Sequence, residues 1–382
     1  MKDVYVITGA TGGMGSDIAK KITKKGTVVL ADIDAKKLTK LKTELTKSKI
    51  KAKTIVCDIS RKDDIDQLVG LVKDLGNFKV MVHTAGVSES MKNANNILKI
   101  NLVGTKLLMD AFYEIANDSI FINIASMTGH MVPDSFLYNK LLTNPTQKGF
   151  LRKMSIFTSN KPTNAYAFSK KGMILLTEKE VGKWAKKNSR ILSISPGAIK
   201  TPLSLLEAKS NPAVDFMVSN TPIPRFGEVE EITDLVNFLI SKKATFINGA
   251  DILIDGGITS HIAYNDIFGL KKDKIPVITP FVLYIIAFLI FPLIFELFYR
   301  NWDLLAIKQS IQFFVSPAVV VLITGYLNKS KVSPLLIVLP FAVSLFSNLL
   351  VYQSPNWLLS VFYSVVALAV SWAISLYNKY KK

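Results

Sequence analysis

Short apolar runs alternate with amphipathic stretches along roughly the first 260 residues of the chain. Each apolar run predicts a buried strand, whereas the stretches between the runs have the 3.6-residue periodicity of helices. The predicted strands are Val4–Thr8, Thr27–Ala31, Lys53–Val56, Lys79–Val82, Ser119–Ile124, Arg190–Ile194 and Asp251–Ile254. This alternation predicts an α/β fold, a doubly wound parallel sheet that is covered by helices on both faces.

Polar residues and glycines follow most of these predicted strands. The clearest examples are Cys57-Asp58, His83-Thr84-Ala85-Gly86, Ala125-Ser126, Ser195-Pro196-Gly197 and Asp255-Gly256-Gly257. The carboxyl ends of parallel strands meet at one edge of the sheet, and ligands of such sheets bind there. We therefore expect the functional residues to lie at this edge.

The hydrophobic pattern changes near residue 270, where long segments without charge begin. They cover 275–295, 309–327, 332–352 and 357–377. Segments of about 20 residues can cross a hydrocarbon core of about 30 Å, and transmembrane helices tolerate the prolines found in them. We predict a first domain over 1–262, followed by an all-α transmembrane helical domain over 270–382. The alternative is a buried soluble helical domain.

The charge distribution supports the membrane interpretation. The chain has 47 Lys+Arg and 29 Asp+Glu, a formal net charge of +18, but it has no basic-aromatic platform typical of nucleic-acid binding. Attraction to an anionic bilayer surface explains this charge better. Most lysines that flank the four segments fall on one side: Lys271, Lys272, Lys274, Lys329, Lys331, Lys379, Lys381 and Lys382. We therefore expect an integral membrane protein whose first domain and both termini are cytoplasmic.

Cysteine and histidine usage excludes two other classes of site. A single cysteine, Cys57, rules out a disulfide framework and is interpreted as a small core residue. The three histidines, His83, His130 and His261, lack the spacing of metal ligands, so we interpret them as packing or surface residues and expect no metal site. Strand-like sequence starts at Val4, so we expect no N-terminal signal peptide.

A glycine-rich turn follows the first strand and leads into a predicted helix over 16–25. Glycines in this context let the backbone approach a pyrophosphate, whose charge the helix N-terminus stabilises. The second strand ends at Asp32, which can accept hydrogen bonds from a ribose 2′-hydroxyl and would repel a 2′-phosphate. The sequence therefore predicts Rossmann-type dinucleotide binding with NAD favoured over NADP, although Lys36 and Lys37 lie close by.

A tyrosine and a lysine are spaced four residues apart at Tyr166 and Lys170, at the opening of a helical run that is predicted from Lys170 to Trp184. On a helix these positions share one face, about 6 Å apart along the axis. A phenol has a pKa near 10, and a fixed ammonium beside it lowers that value toward neutral pH. The pair is a candidate general acid/base for interconverting an alcohol and a carbonyl.

These motifs, in this order, resemble the short-chain dehydrogenase/reductase family over residues 1 to about 260. The matching stretches are Thr8–Gly15, Asp58, Ala85-Gly86, Asn101 within 100–104, Ser126 within 122–126, Tyr166–Lys170, Ser195–Gly197, 225–231 and 248–257. The resemblance does not extend into 270–382. One departure is His83-Thr84, where the family motif usually has two asparagines.

The resemblance implies a role for each of these residues. Tyr166 would exchange the proton with the substrate oxygen, Lys170 would lower its pKa and bind the nicotinamide ribose, and Ser126 would hold the substrate oxygen. Asn101 would anchor a water in a proton relay. The implied cofactor-binding residues are Gly9, Thr11, Gly12, Gly13, Met14, Gly15, Asp32, Asp58, Ile59, Ala85, Gly86, Tyr166, Lys170, Pro196, Gly197, Ile199 and Thr201.

The segment between Ser126 and Tyr166 is much longer than is common in the family. It resembles the insertion of some bacterial 3α-hydroxysteroid dehydrogenase/carbonyl reductase relatives. We hypothesise that residues 130–164 form an apolar lid or rim over the substrate cleft and obstruct the usual subunit contact. The sequence therefore leaves two alternatives for the association state, a monomer and a homo-oligomer. The alternative is a surface excursion without a catalytic part.

The sequence thus favours a membrane-anchored, NAD-dependent oxidoreductase that interconverts a secondary alcohol and a ketone. A hydroxysteroid or another lipophilic small molecule is the favoured substrate, because of the apolar insertion and the predicted membrane segments. One alternative is a nucleotide-sugar epimerase or dehydratase of the extended branch, whose glycine spacing Gly9, Gly12 and Gly15 also fit. The other is a non-catalytic NAD-binding membrane scaffold or sensor.

Overall fold

The computed structural model describes residues 2–22, 26–210 and 212–265. Within these ranges, no helix combines the length and the apolar character that crossing a bilayer requires. The predicted membrane segments 275–295, 309–327, 332–352 and 357–377 lie outside the described residues, as do the lysines that flank them. Membrane attachment and its orientation therefore stay predictions.

In the described part of the chain, seven parallel strands form one sheet in the order β3-β2-β1-β4-β5-β6-β7. Their bounds are β1 Asp3–Thr8, β2 Thr27–Asp32, β3 Lys51–Val56, β4 Asn77–His83, β5 Ile120–Ile124, β6 Arg190–Pro196 and β7 Asp251–Ile254. The predicted Rossmann-type α/β sheet is confirmed. The strand order reverses between β1 and β4, and the crevice at such a point is where these sheets bind ligands.

Helices cover both faces of the sheet. They are α1 Gly13–Lys21, α2 Ala35–Lys47, α3 Lys62–Leu75, α4 Ala94–Leu98, α5 Thr105–Glu114, α6 Phe136–Leu142, α7 Phe150–Thr158, α8 Pro162–Ala185, α9 Pro202–Ser210, α10 Pro212–Ser219, α11 Val229–Ile240 and α12 Ile258–Tyr264. A π-helical segment, Lys99–Gly104, joins α4 to α5. Side chains of α1, α2 and α11 form one core, and those of α3, α5 and α8 form the other.

The apolar spacing of the sequence explains how these helices pack. In α2, for example, Leu38, Leu41 and Leu45 are buried and the positions between them are mostly exposed. Each such leucine removes enough apolar surface from water to stabilise the fold by about 1.5–3 kcal/mol. On the opposite face, Trp184 of α8 meets the ring of Phe121 in β5 at 5.3 Å between centroids.

Helix α8 begins earlier than the sequence analysis predicted. The predicted run started at Lys170, but the helix starts at Pro162. Proline fits the first helical turn, because its missing N–H would have had no partner there. Tyr166 and Lys170 consequently both lie in the first half of one continuous helix.

The insertion folds as two short helices, α6 and α7, which pack against α4 and α8. Tyr138 anchors it, with its ring centroid 5.5 Å from that of Phe157 and 5.0 Å from that of Phe168. The buried side chains of the two helices join the core that α8 helps to form. On the opposite side Phe136 is 85% exposed and Ile156 is 76% exposed. The insertion is therefore a packed layer on α8 that also presents an apolar surface.

Candidate active site

The turn after β1 needs glycine at Gly9. Its φ of +66° is a conformation that other residues rarely adopt, and a Cβ there would lie 2.6 Å from Ala85 Cα. The turn closes with a hydrogen bond of 3.0 Å from Gly12 N–H to Gly9 O. This close approach brings the glycine turn against Ala85-Gly86, which follow β4.

Helix α1 begins within this turn and has an open N-terminus. Its N-cap is Gly12, which makes no side-chain cap hydrogen bond, and no acidic residue lies in the first turn. The first N–H groups and the positive end of the helix dipole are therefore suited to an anionic group. A Cβ at Gly13 would lie 2.9 Å from Thr201 Cβ, so the turn also contacts the loop after β6. These features fit a bound pyrophosphate.

Asp32 ends β2 beside the same turn. Its Oδ2 accepts hydrogen bonds from Thr11 N–H at 2.9 Å and Thr11 Oγ1 at 2.8 Å, while Oδ1 accepts from Asp34 N–H at 3.2 Å. A carboxylate has about four lone-pair positions, so it can accept further hydrogen bonds. The carboxylate is thus fixed in place with capacity left for a sugar hydroxyl.

Asn101 lies in the π-helical segment and is almost fully buried. Its Oδ1 accepts from Val87 N–H and its Nδ2 donates to Val87 O, both at 2.8 Å. The same Nδ2 is 3.2 Å from Ser169 Oγ on α8. A Cβ at Gly86 would meet Asn101 Oδ1 at 3.2 Å. Asn101 therefore ties the loop after β4 to the helix of Tyr166, and π-helical turns are frequent at functional sites.

Lys170 is buried beneath Tyr166. Its Nζ donates to Ile124 O at 2.9 Å and lies 5.7 Å from the centroid of the Tyr166 ring. Burial lowers the pKa of Lys170 to about 8, so the side chain is still mainly an ammonium at pH 7. Tyr166 itself is half-buried. The spacing predicted from the sequence thus places a cation next to the phenol ring.

Ser126 follows β5 and faces the same helix. Its Oγ accepts hydrogen bonds from Thr128 N–H at 3.3 Å and Thr128 Oγ1 at 3.1 Å, which leaves its own hydroxyl proton to donate. The tight turn that follows packs on α8, because a Cβ at Gly129 would lie 3.0 Å from the carbonyl carbon of Lys170. The structure therefore brings the Ser126 turn onto the helix of Tyr166 and Lys170.

The remaining predicted cofactor residues lie in α1 and at or just after the end of β6. Met14 is partly buried behind the glycine turn, and Ile199 is buried beside Gly227. Pro196 ends β6, and a Cβ at the next residue, Gly197, would lie 2.7 Å from Asp255 Cα.

Two of the predicted residues, Asp58 and Ile59, make local contacts after β3. Asp58 Oδ1 accepts from Ser60 N–H at 2.8 Å, and Ile59 is buried under Gly104. No described contact joins either of them to the glycine turn. Their roles toward a cofactor stay predictions.

The sequence analysis missed the part that His83 plays. We interpreted it as a packing or surface residue, but its ring is fully buried and bonded on both sides to threonine hydroxyls. The available signal was its place at the end of β4, directly opposite Thr8 in the parallel register. Cys57 is a small buried residue as predicted, and burial raises the pKa of its thiol to about 12.

Metal chemistry receives no support in the part of the chain that the structure describes. No group of three or more His, Cys, Asp or Glu side chains there could hold a metal ion. His130 instead donates from Nε2 to Asp251 Oδ2 at 2.7 Å.

Comparison with known proteins gives a consistent result. The short chain dehydrogenase family model matches residues 3–138, and a model described as enoyl-(acyl carrier protein) reductase matches residues 150–259. An NADH-dependent L-xylulose reductase from Ambrosiozyma monospora is 30% identical over 284 residues, covering 67% of this chain and 94% of that protein. A 7alpha-hydroxysteroid dehydrogenase from Bacteroides fragilis is 27% identical over 262 residues, covering 68% and 95%.

Solved structures share the fold. An NAD+-bound xylitol dehydrogenase superposes with a TM-score of 0.55 at 24% sequence identity, covering 67% of this chain and 98% of that one. A levodione reductase gives a TM-score of 0.55 at 23% identity, with 68% and 98% covered. The fold, the family models and the L-xylulose reductase together show that the chain belongs to the short-chain dehydrogenase/reductase family, whose members are oxidoreductases that bind a nicotinamide cofactor.

Proposed function

We propose that this protein is an NAD-dependent oxidoreductase that interconverts a secondary alcohol and a ketone, with Tyr166 as its general acid/base. One observation carries the proposal: a buried lysine ammonium lies 5.7 Å from the Tyr166 ring centroid, on the helix against which the Ser126 turn packs. A cation in this position favours the phenolate and makes the phenol a useful proton donor and acceptor near neutral pH.

The proposed reaction needs one proton and one hydride. When bound, NAD supplies a nicotinamide ring whose C4 accepts or returns the hydride. In the oxidation direction Tyr166 Oη takes the hydroxyl proton, while the hydride leaves the carbinol carbon as the C=O bond forms. Ser126 Oγ donates a hydrogen bond to the substrate oxygen. Asn101 holds the backbone of Val87 and the start of α8 in place and would anchor the water of a proton relay.

Two alternative functions are less well supported. An extended-branch epimerase or dehydratase would need a sugar-nucleotide domain, but the L-xylulose reductase is matched over 94% of its own length by this region alone. A non-catalytic scaffold or sensor would not need Tyr166, Lys170, Ser126 and Asn101 together. NAD binding without turnover on any substrate would favour the sensor.

Asp32 supports NAD rather than NADP as the cofactor. A 2′-phosphate near its carboxylate would meet a like charge, whereas a 2′-hydroxyl would find an acceptor held by Thr11. We measure the cofactor preference as the Kd for NADP divided by the Kd for NAD. We expect Asp32→Asn to lower this ratio by about tenfold or more. Asp34→Asn is the matched control, because that carboxylate caps α2 at Lys37 N–H instead. Equal ratios in wild type and Asp32→Asn would refute this assignment.

An apolar substrate is proposed from the segment after Thr201. This segment starts next to the glycine turn, because Thr201 contacts Gly13. Three of its apolar side chains are exposed: Leu203 by 49%, Leu206 by 66% and Phe216 by 39%. Exposed apolar side chains beside a site favour binding of an apolar molecule. The hydroxysteroid dehydrogenase among the relatives fits this substrate class. We also propose that α6 and α7 of the insertion form an outer layer on α8 and obstruct a subunit contact there.

The function is tested by cofactor reduction with a panel of steroid, retinoid, aliphatic and sugar alcohols. We expect turnover with NAD on at least one secondary alcohol, and higher kcat/KM for the apolar substrates than for xylitol. A preference for sugar alcohols would retain the oxidoreductase and overturn the lipophilic substrate. Release of a dehydrated or epimerised sugar nucleotide would overturn the alcohol–ketone reaction itself.

We also propose that residues 270–382 anchor the enzyme to a membrane, with the enzyme domain and both termini on the cytoplasmic side. The support is the length and charge pattern of the sequence there. We expect the full-length protein to remain in the membrane pellet after an alkaline carbonate wash, and a chain ending at residue 265 to be released. Full-length protein in the supernatant would contradict the anchor.

A further inference from the structure

His83 connects two parts of the candidate site. Its ring is fully buried, with Nδ1 2.7 Å from Thr8 Oγ1 and Nε2 2.9 Å from Thr105 Oγ1. Thr8 is the last residue of β1, next to Gly9 of the glycine turn. Thr105 begins α5, directly after the π-helical segment that contains Asn101. The imidazole therefore spans the distance from the cofactor turn to the helix of Asn101.

Thr8, His83, Thr105 and Asn101 are linked by a chain of hydrogen bonds. The direction of each bond in it follows from Thr105. Its Oγ1 lies 2.5 Å from Asn101 O, and since a carbonyl only accepts, the one hydroxyl proton of Thr105 is donated there. Thr105 Oγ1 must then accept from His83, so Nε2 carries the ring proton. Nδ1 has no proton in a neutral ring and accepts from Thr8 Oγ1. The hydrogen-bond chain runs from Thr8 through His83 and Thr105 to Asn101 O.

The ring stays neutral in this environment. Burial and, to a smaller extent, the nearby Lys170 ammonium together lower the pKa of His83 to about 3. A protonated ring would carry a proton on Nδ1, so Thr8 Oγ1 would have to accept instead of donate and the direction of that hydrogen bond would reverse. The hydrogen-bond chain thus depends on one tautomer of a ring that does not titrate near neutral pH.

We propose that His83 is a positioning residue that couples the glycine turn to Asn101 through this directed chain of hydrogen bonds. The backbone N–H of Thr105 donates to Leu102 O and not to Asn101 O. The hydrogen bond from Thr105 to Asn101 O is therefore made by its hydroxyl group. Displacing the ring would remove the acceptor of the Thr8 hydroxyl at the cofactor end and, at the catalytic end, the donor that orients the Thr105 hydroxyl toward Asn101 O. The proposal rests on the proposed function only where it assigns a catalytic consequence to Asn101.

The first test observes the tautomer directly. Nitrogen-15 NMR of the histidine side chains, with the His83 signals assigned by their loss in His83→Gln, should show a proton on Nε2 and none on Nδ1. The state should not change between pH 5 and pH 9. A proton on Nδ1, or titration within this range, would overturn the proposal. This measurement needs neither a substrate nor bound cofactor.

The second test removes one hydroxyl at each end of the chain. Thr8→Val should raise the Kd for NAD about fivefold or more, and Thr105→Val should lower kcat about tenfold or more, because small misplacements of a catalytic group are costly. Thr177→Val is the matched control, since Thr177 is equally buried and donates to the carbonyl of Met173 four residues earlier. We expect the kcat of Thr177→Val and its Kd for NAD to stay within about twofold of the wild-type values.

Equal effects of Thr105→Val and Thr177→Val would overturn the coupling. His83→Gln should retain most NAD affinity, because its amide offers an acceptor and a donor. His83→Leu should lose NAD affinity, because its side chain offers neither. If His83→Leu does not fold, the threonine variants and the NMR result still decide. Should wild type turn over no substrate, the proposed function fails, while the tautomer and the NAD Kd of Thr8→Val still test the coupling.

Discussion

Tyr166→Phe is expected to reduce kcat by about 10²- to 10⁴-fold, the range over which a positioned general acid/base accelerates proton transfer. The variant loses only the hydroxyl, so the ring keeps its place beside Lys170 Nζ. NAD affinity should change by less than about threefold, because the ring and Lys170 stay in place for cofactor binding and the lost phenol proton acts mainly in the chemical step. Steady-state turnover on the best panel substrate and calorimetric titration with NAD measure the two effects.

Tyr138→Phe is the matched control for this experiment. Tyr138 lies in the insertion, and its hydroxyl donates to Pro133 O rather than to any residue of the site. Its kcat should stay within about threefold of wild type. Comparable kcat values of Tyr166→Phe and Tyr138→Phe would show that Tyr166 is not the general acid/base of the reaction.

Lys170→Met is expected to remove turnover and to change how stability depends on pH. The pKa of Lys170 is lowered by burial from 10.5 to about 8, so between these values the unfolded state binds more protons than the folded state. Stability from this group therefore rises with pH from 8 to 10.5. Below pH 8 the wild type carries the full cost of burying the ammonium. Across the window wild type should gain about 3 kcal/mol relative to Lys170→Met.

Denaturant unfolding of both proteins from pH 7 to pH 10.5 measures this difference, because groups that do not interact with Lys170 contribute equally to both proteins. Lys170→Gln should behave like Lys170→Met, since it is also neutral even though it can still donate to Ile124 O. Lys170→Arg should show no rise over the same window, because its charge persists. A difference between wild type and Lys170→Met that is constant with pH would contradict a buried ammonium.

Most strands of the described domain could be predicted because their signal is local. The predicted Arg190–Ile194 and Asp251–Ile254 differ from the observed β6 and β7 by two residues or fewer at each end. The predicted start of α8 is eight positions too late, because Pro162 would break a helix interior and is compatible with α8 only in its first turn. The helices of the insertion were not predicted either, since their apolar residues serve both the core and an exposed face.

The sequence by itself determined the alternation of strands and helices, the family, and the four-residue spacing of Tyr166 and Lys170. These properties follow from chain periodicity and from motifs at the ends of strands, which do not require knowledge of distant contacts. Only the tertiary structure decided that β1 lies between β2 and β4, that Ala85 meets Gly9, and that Thr201 meets Gly13.

Burial was also decided by the tertiary structure. The depth of Lys170 lowers its pKa, and the position of His83 between Thr8 and Thr105 fixes its tautomer. Both depend on side chains that come from distant parts of the chain and exclude water together. A pattern along one chain indicates which residues are apolar or polar, but packing of separate elements determines which polar groups lose water and which partners they find.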